Sequence, residues 1–248
     1  MGSIKNAFDL TGKTALITGG SRGLGLQIAE ALGEAGAKIL LTSRKAADLE
    51  EAAATLQAKG IDTRWTAADA SQPAEIAKVA DEAMQRLGHV DILVNNAGGS
   101  RSFTDLHVGE DRWQEAMTLN FHRPRQLADG LIDGMIARHW GRVVNITGKS
   151  EPEHVNGAFC AKAGIHSWAK GLSRMVGRHG ITVNSIAPGR IHSEQILRNY
   201  SPEYRQWQAD NEIPVGRYGE PEDLANLVCF LASPRASYIT GTVIAVDG

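Results

Sequence analysis

The stretch Lys13-Thr14-Ala15-Leu16-Ile17-Thr18-Gly19-Gly20-Ser21-Arg22-Gly23-Leu24-Gly25 decides the fold. Its first half is short, apolar and β-prone. Behind it Leu24, Ile28, Ala31, Leu32 and Ala35 recur at helical spacing. A glycine-rich turn therefore joins a strand to a helix. The N-terminus of a helix presents unpaired N–H groups and a partial positive charge, so it attracts phosphate. Glycines let the chain turn tightly and let a pyrophosphate come close. The spacing is Gly-x3-Gly-x-Gly, not the Gly-x-Gly-x2-Gly of the common dinucleotide fingerprint. Three glycines alone would also suit an ordinary turn. The strand before and the helix after favour a phosphate cradle.

Outward from this turn, strand-like and helix-like runs alternate. Strands are expected over 37–42, 63–67, 90–94, 142–146, 181–186 and 242–246. Helices are expected over 48–58, 74–87, 111–138, 157–176 and 222–232, with a further helix over 202–211. Near-continuous Val/Ile/Leu strands separated by helices imply a parallel sheet covered on both faces. Right-handed crossovers make such a sheet doubly wound. The expectation is α/β: a single-domain, Rossmann-like doubly wound parallel β-sheet flanked by helices, spanning 1–248. Ligands of such sheets sit at the carboxyl ends of the strands.

Composition narrows the function classes. At 248 residues the chain can bury roughly 70–75% of its unfolded surface, so it needs no disulfide or metal staples. A net charge of −2 suggests neither nucleic acid nor an anionic membrane as partner. Cys160 and Cys229 form no motif. No apolar run is long enough to span a bilayer and no secretory signal opens the chain, so the cytoplasm is the default expectation. The eight histidines lack metal-ligand spacing, and no metal site is expected.

A set of motifs then falls in order along the chain: Thr18 to Gly25, Asp69-Ala70, Asn95-Asn96-Ala97-Gly98, Asn120, Lys162-Ala163-Gly164 and Pro188-Gly189. In this the chain resembles the short-chain dehydrogenase/reductase family over essentially its whole length, and most of all the 3-oxoacyl-reductase-like members. The resemblance implies a nicotinamide cofactor lying across the strand ends and a small carbonyl or alcohol substrate. The pyrophosphate would rest on Gly19, Ser21, Arg22, Gly23, Leu24 and Gly25. The adenine would lie near Asp69 and Ala70. Asn96, Ala97 and Gly98 would line the middle, and the nicotinamide would lie near Pro188, Gly189, Ile191 and Lys162. The family also implies a homotetramer built from the helices at 111–138 and 157–176, and a lid over the substrate cleft at 202–211.

The choice of cofactor has a physical basis. A carboxylate after the second strand would accept hydrogen bonds from a ribose 2′-hydroxyl and repel a 2′-phosphate. That position holds Ser43, followed by Arg44, with Arg22 in the glycine loop on the same side. Guanidinium groups suit phosphate, so NADP(H) is expected.

The catalytic set departs from the family. Its usual members are Asn, Ser, Tyr and Lys, with Tyr four residues before Lys. Here Asn120 and Lys162 match, but Ala158 stands four residues before Lys162 and Gly148 stands at the Ser position. Three accounts stay open. His154 or Glu151, in the loop between Gly148 and Ala158, replaces the tyrosine as acid; Lys162 acts directly; or the protein binds NADP(H) without dehydrogenase activity, as a sensor, a structural subunit or a redox-neutral acid/base enzyme.

Overall fold

The computed structural model describes residues 8–70, 72–100, 107–148 and 155–248. Strands β1 (Thr14–Thr18), β2 (Lys38–Ser43), β3 (Thr63–Ala67), β4 (Ile92–Asn95), β5 (Gly141–Ile146), β6 (Ile181–Pro188) and β7 (Val243–Val246) form one sheet among the described residues. Their order is β3-β2-β1-β4-β5-β6-β7, and every pairing is parallel. The expected doubly wound sheet is thus present.

Alternation along each strand places the core. Ala15, Ile17, Ile39, Leu41, Ile92 and Val94 point to one face. They pack against α1 (Gly23–Glu34), α2 (Ala46–Ala58) and α9 (Pro221–Ala232) through Ile28, Leu32, Leu56, Leu224 and Val228. Leu16, Leu40, Leu93 and Val143 point to the other face. There they meet α3 (Pro73–Leu87), α5 (Arg123–Ala137) and α6 (Gly157–Val176) through Val79, Leu131, Met135 and Ala169. A strand buried on both faces needs apolar side chains at successive positions, which explains its continuous aliphatic run.

The single helix expected over 111–138 is interrupted. It runs as α4 (Glu110–Met117), a π-helical turn (Thr118–His122) and α5. Pro124 near the start of α5 lacks an N–H, which helps to favour a changed hydrogen-bond pattern there. Asn120 sits inside that turn. After β6, α7 (Glu194–Asn199), which the sequence reading did not anticipate although Ser193 caps it, precedes α8 (Pro202–Glu212). No helix among the described residues is long and apolar enough to cross a membrane.

Candidate active site

The sheet reverses its order between β1 and β4, which opens a crevice at their carboxyl ends. Thr18 stitches its two walls together. Its hydroxyl donates to Val94 O at 3.3 Å and accepts from the N–H groups of Asn96 (3.0 Å) and Ala97 (2.9 Å). Asn96 returns its Nδ2 to Thr18 O at 3.0 Å and Gly19 O at 3.1 Å. The glycines follow from this closeness. A Cβ on Gly25 would lie 2.2 Å from Gly19 O, and Gly19 itself has φ +64°.

The cradle leaves its donors available in the way a phosphate needs. Helix α1 has no side-chain cap and no acidic residue in its first turn, which suits its N-terminus to an anion. Gly19 N–H donates to Thr42 O at 2.8 Å, which brings the end of β2 beside the loop. Ser43 and the exposed Arg44 follow directly. Ser43 O accepts from Ala68 N–H at 2.8 Å, and this places Asp69 and Ala70 at the same edge. The residues therefore fit a dinucleotide phosphate group and a 2′-phosphate corner. On the far side Gly189 N–H donates to Val246 O at 2.9 Å, and buried Ile191 bridges to Gly219.

Lys162 lies at the other end of the crevice. Its Nζ donates to Thr147 O at 2.9 Å. Burial removes water from the ammonium and pushes its pKa down to about 8. Three backbone positions converge on it. A Cβ at Gly98 would stand 3.9 Å from Lys162 Cε, and one at Gly148 would stand 3.8 Å from Lys162 Cδ. Asn120 clamps the adjoining loop: its Oδ1 accepts from Gly99 N–H at 3.2 Å, and its Nδ2 donates to Gly99 O and Ala116 O, both at 3.0 Å. Both amide protons of Asn120 are therefore engaged with backbone. A small cavity beside Lys162 is lined by Asn95, Asn120, Asn145, Thr147 and Ile165.

Sequence reasoning missed His166. Its Nε2 lies 2.8 Å from Thr147 Oγ1, whose own proton goes to Ile186 O at 2.9 Å. The imidazole must then donate, which fixes the Nε2–H tautomer. Burial, with the Lys162 charge second, lowers the His166 pKa, so the ring is neutral near pH 7. Its position one turn after Lys162 was the available signal. Ala158 is buried at 2% exposure one turn before Lys162. His154 and Glu151 lie outside the described residues.

The region after Ile191 is tied down by side chains. Arg190 pairs with Glu212 at 2.6 Å, and His192 lies 2.9 Å from Glu220 and stacks on Tyr218. Tyr204 on α8 stacks on Trp207. Among the described residues no group of His, Cys, Asp and Glu could hold a metal.

Comparisons with known proteins agree with this geometry. A family model described as Enoyl-(Acyl carrier protein) reductase matches residues 19–248. The chain is 36% identical to the 3-oxoacyl-(acyl-carrier-protein) reductase FabG of Pseudomonas aeruginosa, over 96% of this chain and 97% of that protein. It superposes on the L-sorbose reductase of Gluconobacter frateurii, complexed with NADPH and L-sorbose, with a TM-score of 0.91 at 33% identity, covering 98% and 97% of the two chains. A 3-oxoacyl (acyl-carrier-protein) reductase from Agrobacterium tumefaciens C58 with NADP bound gives a TM-score of 0.93 at 29% identity, covering 99% and 97%. A seven-stranded parallel sheet, a glycine cradle at its switch point and these whole-length matches establish that the chain belongs to the short-chain dehydrogenase/reductase family of oxidoreductases.

Proposed function

We propose that the protein is an NADP(H)-dependent oxidoreductase acting on a carbonyl or alcohol substrate, with Lys162 as the proton-bearing group of an atypical site. The observation that carries this reading is the desolvated Lys162 ammonium at the strand ends, across the crevice from the uncapped α1 N-terminus. The cofactor, when bound, supplies or takes up a hydride. The chain's own residues do the rest. The N–H groups from Gly23 to Gly25 bind pyrophosphate, and Arg44 with Arg22 binds the 2′-phosphate. Asp69 and Ala70 flank the adenine. Asn96, Ala97, Gly98, Pro188, Gly189 and Ile191 wall the nicotinamide half.

Reduction of a carbonyl leaves negative charge on its oxygen. Protonated Lys162 holds one proton on Thr147 O and donates another from Nζ to that oxygen; oxidation of an alcohol runs the same transfer backwards. A positioned donor contributes about 10²–10⁴-fold to such a step. Asn120, fully engaged with backbone, organises the loop rather than transferring a proton itself. The reading includes a homotetramer in the cytoplasm, tested by mass photometry and cell fractionation.

A second reading is binding of NADP(H) without dehydrogenase activity, or redox-neutral acid/base chemistry by His154 or Glu151. Buried Ala158, which has no titratable group, favours it. The deciding experiment follows NADPH oxidation with a panel of ketones and 3-oxo esters. Turnover that Lys162→Met abolishes supports the first reading. Tight NADPH binding with no turnover on any member supports the second.

A further inference from the structure

Ser100 follows the β4 turn and adjoins Gly99, which Asn120 holds from both sides. A second asparagine, Asn156, reaches it from the start of α6. Asn156 is the N-cap of that helix and is 7% exposed. Its Oδ1 accepts from Ala158 N–H at 2.9 Å and Phe159 N–H at 3.4 Å. Two backbone donors require the oxygen at that end, so the amide nitrogen must face the other way. It faces Ser100 and donates to Oγ at 2.9 Å. Ser100 therefore accepts, and its own hydroxyl proton has no acceptor among the described residues. Gly98, two residues earlier, lies against Lys162, and Ala158 lies in the turn of α6 that Asn156 caps. The donor thus stands beside the helical turn that carries Ala158, on the loop that walls Lys162.

We propose that Ser100 is a substrate-binding hydroxyl of this site. It donates its proton to the oxygen of a small neutral carbonyl or alcohol, and Asn156 is the positioning residue that aims it. The proposal rests on the oxidoreductase reading above.

Asn156→Asp separates aiming from capping. The carboxylate keeps an oxygen for the Ala158 and Phe159 N–H groups, and its charge suits a helix N-terminus. Its second oxygen, however, accepts from Ser100 and takes up the hydroxyl proton that the proposal gives to the substrate oxygen. The probes are ethyl acetoacetate, as substrate with NADPH, and ethyl 3-hydroxybutyrate, as ligand to protein saturated with NADPH, a pair that cannot exchange hydride. A lost neutral hydrogen bond corresponds to roughly 2- to 12-fold in affinity. Ser100→Ala and Asn156→Asp should each weaken ethyl 3-hydroxybutyrate binding and raise KM for ethyl acetoacetate by that factor. Tm and NADPH affinity should hold, and Ser100→Thr should retain probe binding. Wild-type probe affinity in Asn156→Asp would reduce Asn156 to a cap and overturn the proposal. So would failure of ethyl 3-hydroxybutyrate to bind the wild-type protein. Ser100-dependent binding without turnover would sink the oxidoreductase reading and leave this assignment standing; turnover indifferent to both substitutions would do the reverse.

Discussion

Lys162 should titrate near pH 8, and this has a stability consequence with a definite sign. In the unfolded chain its ammonium keeps the ordinary value of 10.5, while burial in the folded site brings it down to about 8. Below pH 8 both states are protonated and the folded state carries the whole desolvation cost. Between pH 8 and 10.5 the unfolded chain binds the proton and the folded chain does not, so stability rises with pH across that window. At about 1.4 kcal/mol per pKa unit, the gap corresponds to about 3 kcal/mol. Lys162→Met removes this group from both states. Urea unfolding of wild type and Lys162→Met at pH 8 and above isolates the effect, because His166, the neighbour whose pKa the Lys162 charge lowers, is already neutral there in both proteins. The wild-type stability relative to Lys162→Met should climb by about 3 kcal/mol from pH 8 to 10.5. NMR of ¹³C-labelled lysine should show one Cε resonance titrating near 8 that is lost in the variant. A flat stability difference, with every lysine titrating above 10, would refute the desolvated amine.

Three further outcomes follow from the site. Arg44→Ala should weaken NADPH by about 10- to 150-fold while leaving NADH nearly unchanged, since a charge-assisted hydrogen bond to the 2′-phosphate is lost; fluorescence titration of both cofactors checks it, and equal loss for the two removes the phosphate assignment. Gly25→Ala should cost about 1–3 kcal/mol in stability, because its Cβ would fall 2.2 Å from Gly19 O, where backbone must move; thermal unfolding should show it, and an unchanged Tm would contradict the close approach. If Lys162 is the acid, carbonyl reduction should hold steady below pH 8 and fall above it as the proton is lost, with alcohol oxidation rising over the same range; a reduction rate flat from pH 7 to 10 excludes that role.

The sheet was legible because a strand buried on both faces must be aliphatic throughout. Val143 and Val144, or Leu40 and Leu41, serve opposite cores from adjacent positions. The glycine cradle was legible for a related reason: Gly19 and Gly25 touch, and only glycine permits it. What the sequence concealed is contact between distant positions. Thr18 reaches Asn96 across 78 residues, and Asn95 pairs with Asn145 across 50. Nothing local marks either hydroxyl or amide as a partner. The π turn at Asn120 was hidden because it is a single turn of five residues, too short to show a repeat of its own within the helical pattern around it, and only the Pro124 that follows hints at the break. Asn156 carried a readable signal as an N-cap, but its second hydrogen bond to Ser100 depends on how two loops meet.

The claim that the site moves a hydride is tested most directly by isotope. Protein is incubated with NADPH carrying deuterium at the nicotinamide C4 position, prepared as each of the two stereoisomers, and with ethyl acetoacetate and a panel of simple ketones. Mass spectrometry of the alcohols is the readout. The account predicts deuterium on the carbinol carbon from one stereoisomer only, dependent on Lys162. Tight NADPH binding with no deuterium in any alcohol from either stereoisomer would contradict it.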